Sequence, residues 1–337
     1  MLAITGVAMV AGALMAVAAT AAEPPKVTVT IKPIHSLVAG VMAGAGEPSL
    51  LIKGAGSPHA YSLRPSEARE LEQADVVFWV GDGLEAFLAR PLQTLAANAR
   101  VVELAEADGL TLLAYREGGP WEPHDHAHDH DHGHGHSHSH DHGHGHDHKH
   151  EHDHAHDHGH HHHGLHDMHI WLDPMNAVAM VRAIAATLAE ADPAHADRYR
   201  DNAAAVIERL EILHGELEAE LADVRDRPYV VFHDAYQYFE QRYGLNPVGS
   251  ITVSPERAPG AARLAEIRDR IKTAGAVCVF SEPQFEPALV KVVTEGTDAR
   301  TGVLDPLGAD LEPGPDAYVT LMRNLSDSLR DCLLPAS

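Results

Sequence analysis

Ala74-Asp-Val-Val-Phe-Trp-Val80 is a nearly unbroken apolar run of strand length, closed by Gly81-Asp82-Gly83. Apolar side chains on both faces predict a strand covered on both sides, the kind found in parallel sheets. On its N-terminal side, Ser66 to Gln73 predicts a helix with Ser66 at the N-cap. On its C-terminal side, Leu84 to Ala97 predicts a helix and Arg100 to Leu104 the next strand. Further upstream, Lys26-Val-Thr-Val-Thr-Ile31 is β-branched and predicts a strand. Pro33-Ile34-His35-Ser36 leads from its C-terminal end into an apolar helix from Leu37. Strands alternating with helices imply a parallel sheet with helices on both faces.

The same logic returns in the second half. Tyr229-Val-Val-Phe232 predicts a strand running into His233-Asp234, with Val248 to Val253 and Ala276 to Phe280 as two more. Leu264 to Thr273 predicts a helix between the last two, and Tyr318 to Leu333 a closing helix. Between the halves, Asp173-Pro174 and Asp192-Pro193 each read as an N-cap followed by a first helical residue. The second of these helices, Pro193 to about Asp223, places Tyr199, Ala203, Val206, Leu210, Leu213, Leu217 and Leu221 at three- and four-residue spacing. At 1.5 Å per residue it spans about 45 Å, longer than one lobe needs. The expected architecture is therefore α/β, with two lobes, each a mainly parallel sheet flanked by helices, joined by one long rigid helix. The expected boundaries are an N-terminal lobe over 23–192, a linking helix over 193–223 and a C-terminal lobe over 224–337.

A histidine-rich insertion, 121–167, interrupts the first lobe and is expected to be disordered without metal, because its Asp, Gly, Ser and Ala partners cannot build a core. Its histidines are His124, His126, His128, His130, His132, His134, His136, His138, His140, His142, His144, His146, His148, His150, His152, His154, His156, His158 and His160, in strict alternation, then His161, His162 and His163, with His166 as a tail. Neutral imidazole is the commonest nitrogen ligand of Zn²⁺ and its neighbours, so the tract reads as metal-capturing. Residues 1–22 are uncharged, apolar and end in small residues, which predicts a secretory signal cleaved near Ala21 or Ala22. Two cysteines, Cys278 and Cys332, fit an oxidising compartment and suggest one disulfide. A formal net charge of −24 argues against nucleic acid or anionic lipid as a partner.

Six histidines lie outside the tract and its tail. His59 stands in Gly56-Ser57-Pro58-His59-Ala60-Tyr61, a loop suited to presenting a side chain; His169 precedes a helix start; His233 ends a strand. Ligands of open α/β sheets bind beyond the carboxyl ends of the strands, so residues of both lobes can converge there. His35 reads as a capping or packing residue, and His195 and His214, on the long helix, as solvated surface. Asp305, in Leu304-Asp305-Pro306-Leu307-Gly308, either completes a three-histidine site or caps its own turn.

Five motifs in order, Ile34-His35-Ser36-Leu37-Val38, Pro58-His59 with Leu63-Arg64-Pro65-Ser66, His169-Ile-Trp-Leu-Asp-Pro174, Phe232-His233-Asp234-Ala235-Tyr236 and Leu304-Asp-Pro-Leu-Gly308, resemble the zinc-specific substrate-binding proteins of bacterial ABC importers. The resemblance implies a Zn²⁺ site in the interlobe cleft with His59, His169 and His233 as ligands, Asp305 or a water in the last position, and a disulfide between Cys278 and Cys332. It further implies a periplasmic monomer that delivers zinc to an inner-membrane ABC permease with its ATPase, with a periplasmic zinc chaperone as a further partner. The histidine tract then serves as an accessory that gathers or senses zinc. Three imidazoles with at most one carboxylate favour tetrahedral Zn²⁺ over octahedral Mn²⁺. Three other readings stand beside this one: a manganese or iron carrier of the same family, a periplasmic zinc buffer uncoupled from transport, and a zinc hydrolase. The last would need Glu282 or Asp305 as its base, and no histidine-glutamate helix motif is present.

Overall fold

A computed structural model describes residues 23–116, 121, 166–252, 259–285 and 288–335. The expected signal segment over 1–22 and the tract histidines from His124 to His163 lie outside them. Two four-stranded sheets, all parallel, form the two lobes.

In the first lobe, β1 (Val27–Val29) leads into α1 (Lys32–Met42) and β2 (Ser49–Leu50). After α2 (Pro65–Glu72) come β3 (Val76–Trp79), α3 (Ala89–Thr94) and β4 (Arg100–Glu103). The sheet order is β2-β1-β3-β4. The apolar run at β3 is explained by its two faces. Val76 and Phe78 enter the large central core, while Val77 and Trp79 pack with Leu71, Leu88 and Leu92 on the far side.

Two local expectations are corrected. Arg64, not Ser66, occupies the N-cap of α2: Pro65 takes the first helical position and the Glu67 carboxylate accepts from the Arg64 backbone N–H at 2.7 Å. The helix expected over Leu84 to Ala97 is instead a 3₁₀ turn, Ala86–Leu88, followed by the short α3. Pro91 lacks an N–H and crowds the carbonyl four residues before it, so it fits only in the first turn of a helix, and α3 begins at Ala89 instead of Leu84.

The long elements follow. α4 (Pro174–Ala191) is capped by Asp173, whose carboxylate accepts from Met175 N at 2.8 Å. α5 (Ala196–Glu220), entered through a 3₁₀ turn at Pro193–His195, is about 37 Å long. Its buried stripe of Tyr199, Ala203, Leu210, Leu213 and Leu217 joins the central core, which takes residues from both sheets.

The second lobe repeats the first: β5 (Tyr229–His233), α6 (Gln237–Tyr243), β6 (Pro247–Thr252), α7 (Ala261–Ala274), β7 (Cys278–Ser281), α8 (Ala288–Thr294), β8 (Arg300–Val303) and α9 (Ala317–Leu333). Its order, β6-β5-β7-β8, is the same winding. In each sheet the chain therefore reverses direction between its two central strands, where the crevice at their carboxyl ends opens. Cys278 of β7 and Cys332 of α9 form the expected disulfide.

The lobes are held at many points. Lys32 Nζ donates to the carbonyls of Gly308, Ala309 and Leu311. Tyr318 donates its backbone N–H to Ser36 Oγ at 2.9 Å and its hydroxyl to the Trp171 carbonyl at 2.7 Å, and Trp171 Nε1 donates to the Pro306 carbonyl at 2.8 Å. Among the described residues no helix is long and apolar enough to cross a membrane.

Candidate metal centre

His233 is the last residue of β5, and Glu282 follows the last residue of its neighbour β7. The winding of the second lobe thus places both at the reversal point of the sheet. From the first lobe come His59, in the 3₁₀ turn Pro58–Ala60 that opens on proline, and His169, which precedes the 3₁₀ turn Ile170–Leu172.

The imidazoles of His59, His169 and His233 converge, with one ligand atom of each within 4.8 Å of the others. Nε2 of His169 lies 3.2 Å from Nε2 of His59 and 3.3 Å from Nε2 of His233. Two nitrogens bound to one Zn²⁺ at about 2.0–2.1 Å and a tetrahedral angle stand about 3.3–3.4 Å apart, so the spacing suits a shared ion.

Asp167 Oδ1 accepts from His169 Nδ1 at 2.7 Å and from its backbone N–H at 3.0 Å. Glu282 Oε1 accepts from His233 Nδ1 at 2.7 Å and from its backbone N–H at 3.3 Å. An imidazole whose Nδ1 proton is held this way presents a bare lone pair at Nε2, and the carboxylate raises its basicity. Two bare lone pairs facing each other at 3.3 Å repel unless a cation lies between them. The pair is thus arranged for a cation, not for a hydrogen bond.

The surroundings agree. Asp167, Glu282, His169 and His233 are all buried, and His59 is partly buried. Burial, reinforced by His169 and His233, holds His59 well below the ordinary imidazole pKa, so it is neutral and able to ligate. For His233 burial pulls downward, but Glu282 first, then Asp234 and Asp167, pull it upward more strongly. Trp171, Phe285, Pro306, Leu307 and Pro58 wall a cavity of about 10 Å³ between the rings, room for about one water-sized guest. The Trp171 ring centroid lies 5.3 Å from that of His169, and that of Phe285 lies 6.1 Å from that of His233.

Asp305 is not brought to the imidazoles. Its carboxylate accepts from the backbone N–H groups of Leu307 at 3.0 Å, Gly308 at 2.9 Å and Ala309 at 2.5 Å, and from Gln284 Nε2 at 2.8 Å. The turn-capping alternative therefore describes it in this structure: its oxygens serve the turn that carries Pro306 and Leu307 to the cavity wall.

His35 packs inside α1, buried, with Nε2 3.0 Å from the Pro48 carbonyl. His195 Nδ1 is 2.7 Å from Asp192 Oδ2. His214 is half-buried against Tyr243, ring centroids 5.7 Å apart, and is not the solvated residue expected. Asp167 was not singled out in the sequence, and Glu282 was considered only as a possible base. In His166-Asp167-Met168-His169 the aspartate two places before a histidine was the available signal.

A family model described as zinc-uptake complex component A, periplasmic, matches residues 27–332. The chain is 59% identical over 313 residues to the high-affinity zinc uptake system protein ZnuA of Brucella abortus (strain 2308), covering 93% of each chain. It is 44% identical to the protein of that name from Paracoccus denitrificans (strain Pd 1222), again covering 93% of each. A zinc-bound crystal structure of a ZnuA deletion mutant superposes with a TM-score of 0.69 at 23% identity, covering 93% of this chain and 100% of that one. Over nearly its whole length, then, the chain belongs to the family of periplasmic zinc-uptake complex components of which ZnuA is the type.

Proposed function

We propose that His59, His169 and His233 together hold one Zn²⁺ as cargo, with a water or other small ligand in the fourth position. The observation that carries this reading is the convergence of three Nε2 atoms from two lobes, two of them with Nδ1 held by a buried carboxylate. A dication among neutral imidazoles needs countercharge. Asp167 and Glu282 supply it one ring away, without occupying a coordination position. Three nitrogen donors in a cavity for one small guest suit tetrahedral Zn²⁺ better than the oxygen-rich octahedral shell preferred by manganese.

The chain is a zinc-binding component of high-affinity uptake, and its relatives are periplasmic. On our reading the leader over 1–22 is removed near Ala21 or Ala22, and the mature chain works as a monomer of two lobes, 23–192 and 224–337, around the linking helix 193–223. It passes zinc to an inner-membrane ABC permease driven by its ATPase, with a periplasmic zinc chaperone as a further partner. The protein is a carrier rather than a hydrolase: of the two carboxylates a hydrolytic reading offers as base, Glu282 is committed to His233 and Asp305 to its own turn.

The tract from His124 to His163 gathers or senses zinc and passes it to the cleft. A site preformed by two lobes binds without ordering the chain, whereas any segment that must be ordered to bind gives up about 1–2 kcal/mol of backbone entropy per residue fixed. His169→Ala tests the assignment by zinc titration against a chromophoric chelator. Loss of the tightest equivalent is expected, and its retention in a folded variant would overturn the assignment.

A further inference from the structure

The chain just before the histidine-rich insertion and the insertion's far end meet at an antiparallel bridge between Ala114 and His166, and both sides of this stem are tied to α6 of the opposite lobe. Tyr238 donates its hydroxyl to the Asp167 carbonyl at 2.6 Å and accepts from Leu113 N at 3.1 Å, while Gln237 Nε2 donates to the Ala114 carbonyl at 3.2 Å. At the centre is Arg116. Its Nε and Nη2 donate to the two oxygens of Asp234, and its Nη1 donates to Glu240 Oε2 at 2.8 Å. Trp121 lies over the guanidinium at 3.6 Å.

We propose that Arg116 is a positioning residue for the metal centre: it fastens the stem that carries His169 to the segment that carries His233, and so sets how long bound zinc stays. This rests on the reading that these histidines hold the ion. The route is short on both sides. Asp234 follows His233 in the chain. Leu113, three residues before Arg116, accepts from Asp167 N at 2.9 Å, and Asp167 orients His169.

The charge balance makes the contact more than decorative. The Asp234 and Glu240 side chains are each 3% exposed and Arg116 is 17% exposed, so one cation sits between two buried anions. Without it the two carboxylates repel in a poorly screened interior. Relief comes from letting water reach them, which requires the stem to lift from α6 and draws His169 away from His233.

The test is a chelator chase on the full chain loaded with one equivalent of zinc, reading the slowest release phase. R116Q should speed that phase on the order of ten-fold, the size of effect produced by losing groups one step behind a metal's ligands. A companion variant, R116Q/D234N/E240Q, removes the stranded charges along with the fork. It should recover the urea midpoint of the unaltered chain while keeping fast release. An unchanged release rate in R116Q, or wild-type release in the triple variant, would overturn the proposal, the latter by reducing Arg116 to charge neutralisation. If instead H169A releases zinc as slowly as the unaltered chain, it is the three-histidine reading that fails, and the two failures are told apart.

Discussion

Glu282→Gln is isosteric and removes one charge from behind His233. The Glu282 oxygen is 2.7 Å from Nδ1. Adding the width of the ring and a metal–nitrogen distance of about 2 Å places the carboxylate about 6.5 Å from a bound ion. A −1 charge and a +2 ion at that distance attract by about 5 kcal/mol at an effective dielectric of about 20, which is a ceiling because the free site also keeps its carboxylate solvated by N–H donors. Carboxylates in this role cost 10–100-fold in metal affinity when lost, or about 1.4–2.7 kcal/mol, so the expected weakening lies in that range. The amide has a second effect. If its NH₂ faces Nδ1, the imidazole proton moves to Nε2, where it blocks the lone pair that binds metal. The assay is competition for zinc against a chromophoric chelator of known affinity, fitted for the tightest equivalent, with circular dichroism and a urea midpoint to certify the fold. A well-folded E282Q that binds zinc within two-fold of the unaltered chain would refute the reasoning.

Three further outcomes are expected. The Glu85 carboxyl is fully buried and pushed up to about 7, chiefly by burial, against an ordinary value of 4.5. The folded state therefore keeps a proton that the unfolded chain has released: stability is full below about pH 4.5, falls as pH rises to about 7, and is level above. Each unit of difference is worth about 1.4 kcal/mol, so Glu85→Gln, neutral throughout, should gain about 2–3 kcal/mol on the unaltered chain between pH 5 and pH 8 in urea unfolding; parallel pH curves would contradict this. Deleting 124–163 should leave the tightest zinc equivalent in place and remove only weaker ones. In the intact chain those weaker ions should leave first between pH 7 and pH 5, since free imidazoles near pKa 6.5 protonate across that range. Loss of the tightest equivalent on deletion would overturn the division of labour.

The winding of both lobes was legible because β3 and β5 carry apolar side chains on both faces, a pattern that a parallel sheet requires and a half-exposed strand does not. The edge strands β2 and β8 were not, being two residues, Ser49 and Leu50, and the Arg-Thr-Gly-Val of 300–303. Nor was α6, whose seven residues are too few to show a helical period. Yet α6 positions the stem of the insertion.

His59, His169 and His233 stood out because each sits where the chain changes element. Asp167 did not, because it follows His166 just past the tract and reads as one more of the tract's His-Asp pairs. Glu282 is 49 residues from the histidine it orients. Only the strand order, which sets β7 beside β5, brings the two together. Asp305 shows the opposite case: a carboxylate with a plausible address whose oxygens the backbone claims.

The central claim is that one Zn²⁺ is held by three imidazoles from two lobes, and anomalous diffraction at the zinc edge from crystals of the full chain loaded with one equivalent tests it most directly. The account predicts a single strong peak about 2.0–2.1 Å from Nε2 of His59, His169 and His233, with Asp305 still turned to its own backbone. A principal peak among the tract histidines, or one lacking any of these three ligands, would contradict it.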